Sequence, residues 1–453
     1  MKECCFPLLY NCLKFRFVKG MYLMKENVFS RYQMFIIALL AVLQFTVVLD
    51  FMVLSPLGAQ LMHILHLTTS QFGLAVSGYA FSAGLSGFIA AGFSDKFDRK
   101  KLLLFFYTGF ISGTFLCSIA PDYNFLLTAR IITGFFGGVI SSISYAIISD
   151  LFSLQVRGRV MGFVQMAFAT SQVMGIPVGL YFANRVGWHA PFTMITLVSI
   201  VEFILILIYM QPINAHLKIQ SDRSPFRHLL KTIATRNYLL AFIFSTLLVT
   251  GGYMLMPFGS AFSVNNLGLS MEQLPLLYFI TGIFSMAAGP LIGKFSDVIG
   301  KYRVFSLGSF VAIIIILYYC NLGVSPFWIV VVLNVALMMG VLSRMISSSA
   351  LITAIPEPME RGAFMSINSS VQQLSGGIAS VIGGLIVVQS ASGSLEHYNT
   401  IGYIVAGTIV LTVLILRSIN RYVNQKAKSS DISLVTKDEN LIVVDEVQVE
   451  TNF

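Results

Sequence analysis

An aspartate and an arginine stand where side chains of their kind are rarely tolerated. Asp50 lies inside LLAVLQFTVVLDFMVLSP at 39–56, and Arg130 inside FLLTARIITGFFGG at 125–138. An arginine within a bilayer costs ~2.5 kcal/mol or more, so each group is expected to face a cavity or a partner rather than lipid. Counting supplies the partner. Arg130 is seven residues inward from one end of its run and Asp50 six residues inward from Pro56. At 1.5 Å per residue both then lie ~10 Å below the same surface. The two are predicted to meet, directly or through water. Their chemistry would be proton carriage, because burial and a neighbouring arginine act on the Asp50 carboxyl in opposite senses. Protonating Asp50 releases Arg130, and a cationic or polar substrate competes for the same carboxylate. A static structural ion pair is the other reading of these two residues.

The elements that position them are long apolar segments. Spans are predicted near 33–56, 72–93, 102–120, 123–149, 160–184 and 189–210, then 238–264, 273–294, 303–322, 325–350, 362–389 and 398–420. Segments of ~20 apolar residues match a hydrocarbon core of ~30 Å. Their runs are unbroken, which argues for helices rather than for barrel strands of alternating polarity. With 56% hydrophobic and 11% charged residues, the chain reads as an all-α polytopic membrane protein and not as a soluble domain. The net charge of +9 is a topology signal rather than a nucleic-acid patch. All Lys and Arg but Arg185 in an outer loop, and Arg130 and Arg344 inside spans, fall on the side facing the N-terminus. By the positive-inside rule that side is cytoplasmic, with both termini on it.

Residues 1–32 read as a cytoplasmic N-terminal segment, 33–210 as a six-helix bundle, 211–237 as a cytoplasmic linker, 238–420 as a second six-helix bundle, and 421–453 as a mostly disordered cytoplasmic tail. Asn11, Lys14 and Arg16 spoil any signal peptide. Met24, which opens MKENVFSRYQ, or Met21 is the expected biological start. Cys4, Cys5, Cys12, Cys117 and Cys320 fit no metal or disulfide spacing. An internal repeat supports the division. FSDKFDRKK at 93–101 matches FSDVIGKYR at 295–303, and RGRVM at 157–161 matches RGAFM at 361–365, at offsets of 202 and 204 residues. Near-equal offsets of the same sense imply two parallel halves, a plan of secondary transporters that alternate access around a midplane site.

Over about 33–420 the chain resembles the major facilitator superfamily, and more narrowly its twelve-helix drug:proton antiporters. The family's loop pattern G-x-x-x-D-[RK]-x-G-R-[RK] stands here as GFSDKFDRKK at 92–101, with Asp98 where the family has glycine; the second copy keeps Gly300. The family's fourth-helix pattern R-x-x-[Q]-G stands as RIITG at 130–134, with Thr133 for the glutamine. The resemblance implies twelve transmembrane helices in two pseudo-symmetric six-helix bundles. It also implies a cytoplasmic gate: Asp95 near the start of the eleventh helix, where a carboxylate is favourable, Arg99 bridging to Asp150, and Arg157, Asp297 and Arg361 in the repeated motifs. QVMGIPVGLYFANRVGW at 172–188 resembles a variant of the antiporter pattern G-x-x-x-G-P-x-x-G-G. Its Gly175, Pro177 and Gly179 are read as a bend in helix 5.

Gln44, Tyr79, Gln172, Tyr253 and Met254 are candidates for an adaptable pocket for amphipathic compounds. Arg344, on the tenth span, joins them as an attractor of anionic substrate or a partner of backbone carbonyls. GGIASVIGG at 376–384 is read as close-packing glycines, and Glu202, midway along the sixth span, is an acid open to a pairing or proton role but without an assignable partner. His63 and His66 lack a third ligand and are read as loop residues. The chain carries no phosphate-binding loop, zinc pattern or nucleophile elbow. An enzyme is not expected, nor a cofactor, with the proton gradient as energy source. The function expected is a monomeric multi-pass transporter of the plasma (inner) membrane, exchanging protons for small organic or amphipathic molecules. Its partners are then substrate, protons and lipid, with no nucleic acid. Proton symport of a sugar, nucleoside or carboxylate is the alternative, and a non-transporting membrane sensor is the reading from another class.

Overall fold

Where helices start and stop follows from local chemistry. In the computed structural model, which describes residues 29–90, 93, 96–214, 217, 235–356, 361–391 and 393–450, the first long helix opens on a reciprocal cap. The Gln33 N–H donates to Ser30 Oγ (3.1 Å) and the Ser30 N–H donates to Gln33 Oε1 (3.0 Å). It ends at Val53, three residues before Pro56, which has no N–H to continue it.

Twelve long helices follow in order: α1 (Arg31–Val53), α2 (Thr69–Ala90), α3 (Arg99–Ser118), α4 (Tyr123–Leu151), α5 (Val156–Val186), α6 (Ala190–Tyr209), α7 (Tyr238–Asn265), α8 (Gln273–Ile299), α9 (Lys301–Tyr319), α10 (Phe327–Ile352), α11 (Arg361–Ile386) and α12 (Tyr398–Glu450). Eleven of them are long and apolar enough to cross a membrane; α11 is the exception. Its stretch SINSSVQQLSGG belongs to a helix that packs against α2 and α7, so protein rather than lipid surrounds Asn368, Ser370 and the two glycines. The glycines of α11 meet Tyr253, Phe81, the Met254 backbone and the Thr69 backbone at distances that leave no room for a Cβ. That agrees with close packing.

The parallel duplication is visible in the pairing of helices. In the first half α1 packs on α5 and α6, α2 on α4, and α3 on α4 and α6. In the second half α7 packs on α11 and α12, α8 on α10, and α9 on α10 and α12. Adding six to each number of the first set gives the second. Between the halves, α2 lies along α11 and α5 along α8.

Proline shapes two helices. Pro177 leaves the Val173 carbonyl without its α-helical donor, and the preceding Ser171–Gly175 widens into a π turn in which the Ile176 N–H reaches Ser171 O. Pro257 breaks α7, which runs as an α-helix to Leu255, continues as a 3₁₀ turn Met256–Phe258 and resumes at Gly259–Asn265. Gly300 joins α8 to α9 at φ 105°, where a side chain would be strained. Its counterpart Asp98 takes φ −57° and caps α3, accepting the Lys101 N–H at 3.0 Å. The sequence departure therefore exchanges a left-handed turn for a helix cap.

One expectation differs from the structure, and three lie outside the described residues. The tail was expected to be mostly disordered from 421, but α12 continues to Glu450, and no glycine or proline follows Gly407 to interrupt it. The start-site reading, most of the linker and Asp95 lie outside the described residues. A short helix, Gly58–Ile64, and a two-residue hairpin pairing Val388–Gln389 with Leu395–Glu396 cover the end opposite the basic loops.

Candidate functional site

Asp50 and Arg130 meet. An Arg130 guanidinium N–H donates to Asp50 Oδ2 at 2.8 Å and to the Asp50 main-chain carbonyl at 3.1 Å. The carboxylate is fully buried and the guanidinium nearly so, at 0% and 1% exposure. That carbonyl is free to accept because α1 stops three residues later. Depth in the sequence was sufficient to pair the two helices, since a helix converts residue count to height directly.

Around the pair the α1–α3–α4 junction supplies little else. Thr114 Oγ1 donates toward Asp50 Oδ1 (3.2 Å) and toward the Phe110 carbonyl (3.0 Å). One hydroxyl proton thus serves two acceptors. The Arg130 guanidinium carbon lies 4.6 Å from the centre of the Tyr79 ring, a cation–π contact. Tyr79 leads outward: its ring is 5.2 Å from Phe51, and Phe51 is 5.8 Å from Tyr253 on α7. Gly134 makes this possible, because a Cβ there would stand 2.4 Å from the Tyr79 carbonyl. An aromatic line therefore runs from the ion pair, across the seam, into the second half. Sequence reading missed Phe51 and Thr114. Phe51 adjoins Asp50 and was the findable one, whereas intrahelical threonine hydroxyls are common and carry little signal.

The other pocket candidates separate. Gln44 exchanges hydrogen bonds with Ser141 of α4 (3.0 and 3.1 Å). Gln172 sits half-buried in the π turn, its carbonyl against Gly282 of α8. Gly175 faces Leu49 of α1, and Gly179 faces Val53 and Pro191. Met254 is buried with its backbone against Gly383. Arg344 does not belong with them. It donates to Thr412 Oγ1 of α12 at 3.0 Å and lies 5.4 Å from the Phe305 ring of α9, so it points away from the seam. Residue count gives depth but not rotation about the helix axis, and rotation decides this case.

Glu202 does have a partner. Tyr107 donates to its Oε2 at 2.6 Å and stands 3.4 Å from Thr46 Oγ1 of α1. Oε1 has no hydrogen-bond partner among the described residues.

Of the expected gate, Arg99 pairs with Asp150 at 3.1 Å, both largely buried. Arg157 donates to the Ser149 and Phe152 carbonyls (2.6 and 3.3 Å), which caps the end of α4 and does not reach across the seam. Asp297 is exposed, 3.8 Å from Lys301. Asp95 and the side chain of Arg361 are outside the described residues.

The seam is closed at the end opposite the basic loops. Thr69 donates to the Val387 carbonyl (2.5 Å), Ser70 to Gly384 (2.9 Å), Ser380 to Gly73 (3.2 Å), Ser260 to Ser55 (2.9 Å), and the Asn184 amide to Met271 (2.9 Å). Toward the basic end α5 and α8 part. A Cβ at Gly282 would meet Val173 at 2.8 Å, but Gly289 and Gly293 on the same face have open space, as do Gly158 and Gly162 of α5. No group of three or more metal-ligating side chains is present among the described residues, and His63 and His66 lie on and just after the short helix Gly58–Ile64.

Comparison with known proteins agrees with this geometry. A profile of the Major Facilitator Superfamily matches residues 40–343 and, again, 247–437. The Bacillus subtilis (strain 168) protein "Uncharacterized MFS-type transporter YbcL" is 24% identical over 386 residues, 84% of this chain and 96% of that one. "Multidrug resistance protein 2" of the same organism is 25% identical over 290 residues, 63% and 72% of the two chains. Among solved structures, a D-xylose-proton symporter superposes with TM-score 0.67 at 17% identity, covering 84% of this chain and 97% of that one. A bacterial homologue of the lysosomal transporter Spinster, inward-facing and occupied, does so with TM-score 0.64 at 14% identity, covering 88% and 98%. Two like-oriented six-helix halves, a buried acid–base pair beside their seam and a profile match over more than half its length identify this chain as a member of the Major Facilitator Superfamily of membrane transporters.

Proposed function

We propose that the chain is a proton-coupled antiporter that exports small organic or amphipathic molecules across the plasma (inner) membrane, with both termini cytoplasmic, and that Asp50 carries the proton. The observation that carries this reading is the buried Asp50–Arg130 pair joined through Tyr79 and Phe51 to Tyr253 of the opposite half. The likeness to multidrug resistance proteins supports the substrate class.

In this mechanism the proton enters at Oδ1. The new O–H donates to Thr114 Oγ1, whose own hydrogen stays on the Phe110 carbonyl, so both acceptors are satisfied. Asp50 then no longer holds Arg130 by charge. The guanidinium shifts on the Tyr79 face, and the aromatic line transmits the shift to the seam. A cationic or polar substrate that takes the carboxylate excludes the proton, and exchange follows from that competition.

Proteoliposomes with an imposed pH gradient test the proposal. Adding a lipophilic cation that serves as substrate should drive proton movement opposite to its own, and Asp50→Asn should abolish the exchange in a protein that still elutes as folded. Proton-driven exchange surviving in Asp50→Asn refutes the carrier role. Co-movement of proton and substrate refutes antiport.

A further inference from the structure

The duplicated loops end in unlike surroundings. At the 202-residue offset Arg99 corresponds to Lys301, and at the 204-residue offset Asp150 corresponds to Ala354. In the first half Arg99 and Asp150 fill the place between the helix ends as an ion pair. In the second half the acid is missing, and a cavity of about 350 Å³ opens in its stead, lined among others by Lys301, Arg303, Ala354, Asn420 and Asn424. Among the described residues its one carboxylate is that of Asp297, 75% exposed and at 3.8 Å from Lys301.

A second observation points to the same missing charge. Arg344 is 6% exposed and lies between α9, α10 and α12, the helices that wall this cavity. It has no carboxylate within ion-pair distance among the described residues, and its Nε has no hydrogen-bond partner there. Thr412, which it contacts, lies about two turns of α12, roughly 12 Å, below Asn420 at the cavity rim. Among the described residues, the basic lining of the cavity is Lys301 and Arg303, with Arg344 deeper between the same helices.

We propose that this cavity binds a phosphate group, with Lys301 and Arg303 as its cationic ligands and Asn420 and Asn424 as amide donors; Arg344 adds a longer-range positive field from deeper between the same helices. Phosphate matches the site because its oxygens accept from several donors at once. The inner-leaflet location makes an anionic phospholipid headgroup one source; a soluble phosphate is the other. The inference stands apart from the direction of transport and from Asp50.

Native mass spectrometry of the purified chain, titrated with phosphatidylglycerol or phosphatidylcholine, reads the site directly. Phosphatidylglycerol should be retained in preference. Lys301→Ala with Arg303→Ala should weaken that retention by about 25-fold, from roughly fivefold for each basic side chain next to a phosphate surface. Ala354→Asp, which restores the acid of the first half, should weaken it to a similar degree, and Lys101→Ala on the equivalent loop should leave it unchanged. Unchanged elution and melting temperature exclude misfolding. Displacement of the lipid by inorganic phosphate assigns the site to soluble phosphate, and its failure to displace assigns it to the headgroup; both support a phosphate site. Equal retention of the two lipids, equal loss in Lys101→Ala, or full retention in Ala354→Asp and the double variant overturns it.

Discussion

Replacing Arg130 by methionine while keeping Asp50 strands a carboxylate that has only a share in the Thr114 hydroxyl proton. Removing one partner of a buried ion pair costs ~3–5 kcal/mol, whereas replacing both by apolar side chains of similar volume is often neutral. The Asp50 main-chain carbonyl and the Tyr79 face soften the loss of Asp50 for Arg130, so Asp50→Leu is expected to cost ~3 kcal/mol, at the lower end of that range. Arg130→Met alone is expected to cost about as much, and the double variant to fall within ~1 kcal/mol of the parent. Thermal unfolding in detergent should then place each single variant roughly 3 °C or more below the parent, with the double variant close to it. The coupling energy of the cycle is the deciding quantity, and it should reach ~5 kcal/mol, the summed single costs less that of the double variant. Additive single costs, with coupling under ~0.5 kcal/mol, refute the claim that the two groups hold one another. The same variants separate structure from function. A double variant that folds but no longer exchanges protons fits the carrier role, and one that transports like the parent leaves the pair as a structural device.

Two further outcomes follow from packing and from hydrogen bonding. Gly134→Ala drives a Cβ to 2.3 Å from Ser82 Oγ and 2.4 Å from the Tyr79 carbonyl; it should cost ~1–3 kcal/mol by overpacking, while Gly158→Ala, with nothing within 4 Å, should not lower the melting temperature. Tyr107→Phe removes the donor 2.6 Å from Glu202 Oε2 and should destabilise by ~1–3 kcal/mol, with Glu202→Leu in the same chain recovering most of the loss in the same melting assay.

Much of the fold was legible because lipid makes sequence speak plainly. A run of apolar residues long enough to cross the bilayer has few alternatives to a helix, and the loop repeats, Asp95 with Asp297 and Arg157 with Arg361, gave the parallel halves. The ion pair was legible for a related reason, since only height along two helices had to agree. Where Arg344 points was not legible, because its side of α10 depends on contacts with Thr412 and Phe305 that no count reveals. Glu202 stayed unassigned because its partner, Tyr107, is one of 18 tyrosines and nothing local marks it. Asp98 replacing glycine looked like damage to a turn, and its capping of α3 emerges only from the backbone. The expectation for the tail rests on its polar composition, whereas the absence of any helix breaker after Gly407 is what lets α12 continue.

The hydroxyls that fasten α2 to α11 are poised for release as much as for holding. Thr69 and Ser70 sit in the first turn of their helix, next to the aqueous boundary, so on separation water takes up their hydrogens at once. Ser380 is deeper, but a serine within a helix can turn back to a carbonyl of its own preceding turn. The carbonyls they leave, those of Val387, Gly384 and Gly73, can keep a main-chain donor or find water. Parting this latch strands no bare dipole in hydrocarbon, and the barrier to swinging the halves apart there is set by the ring contacts and glycine seams rather than by broken polar bonds.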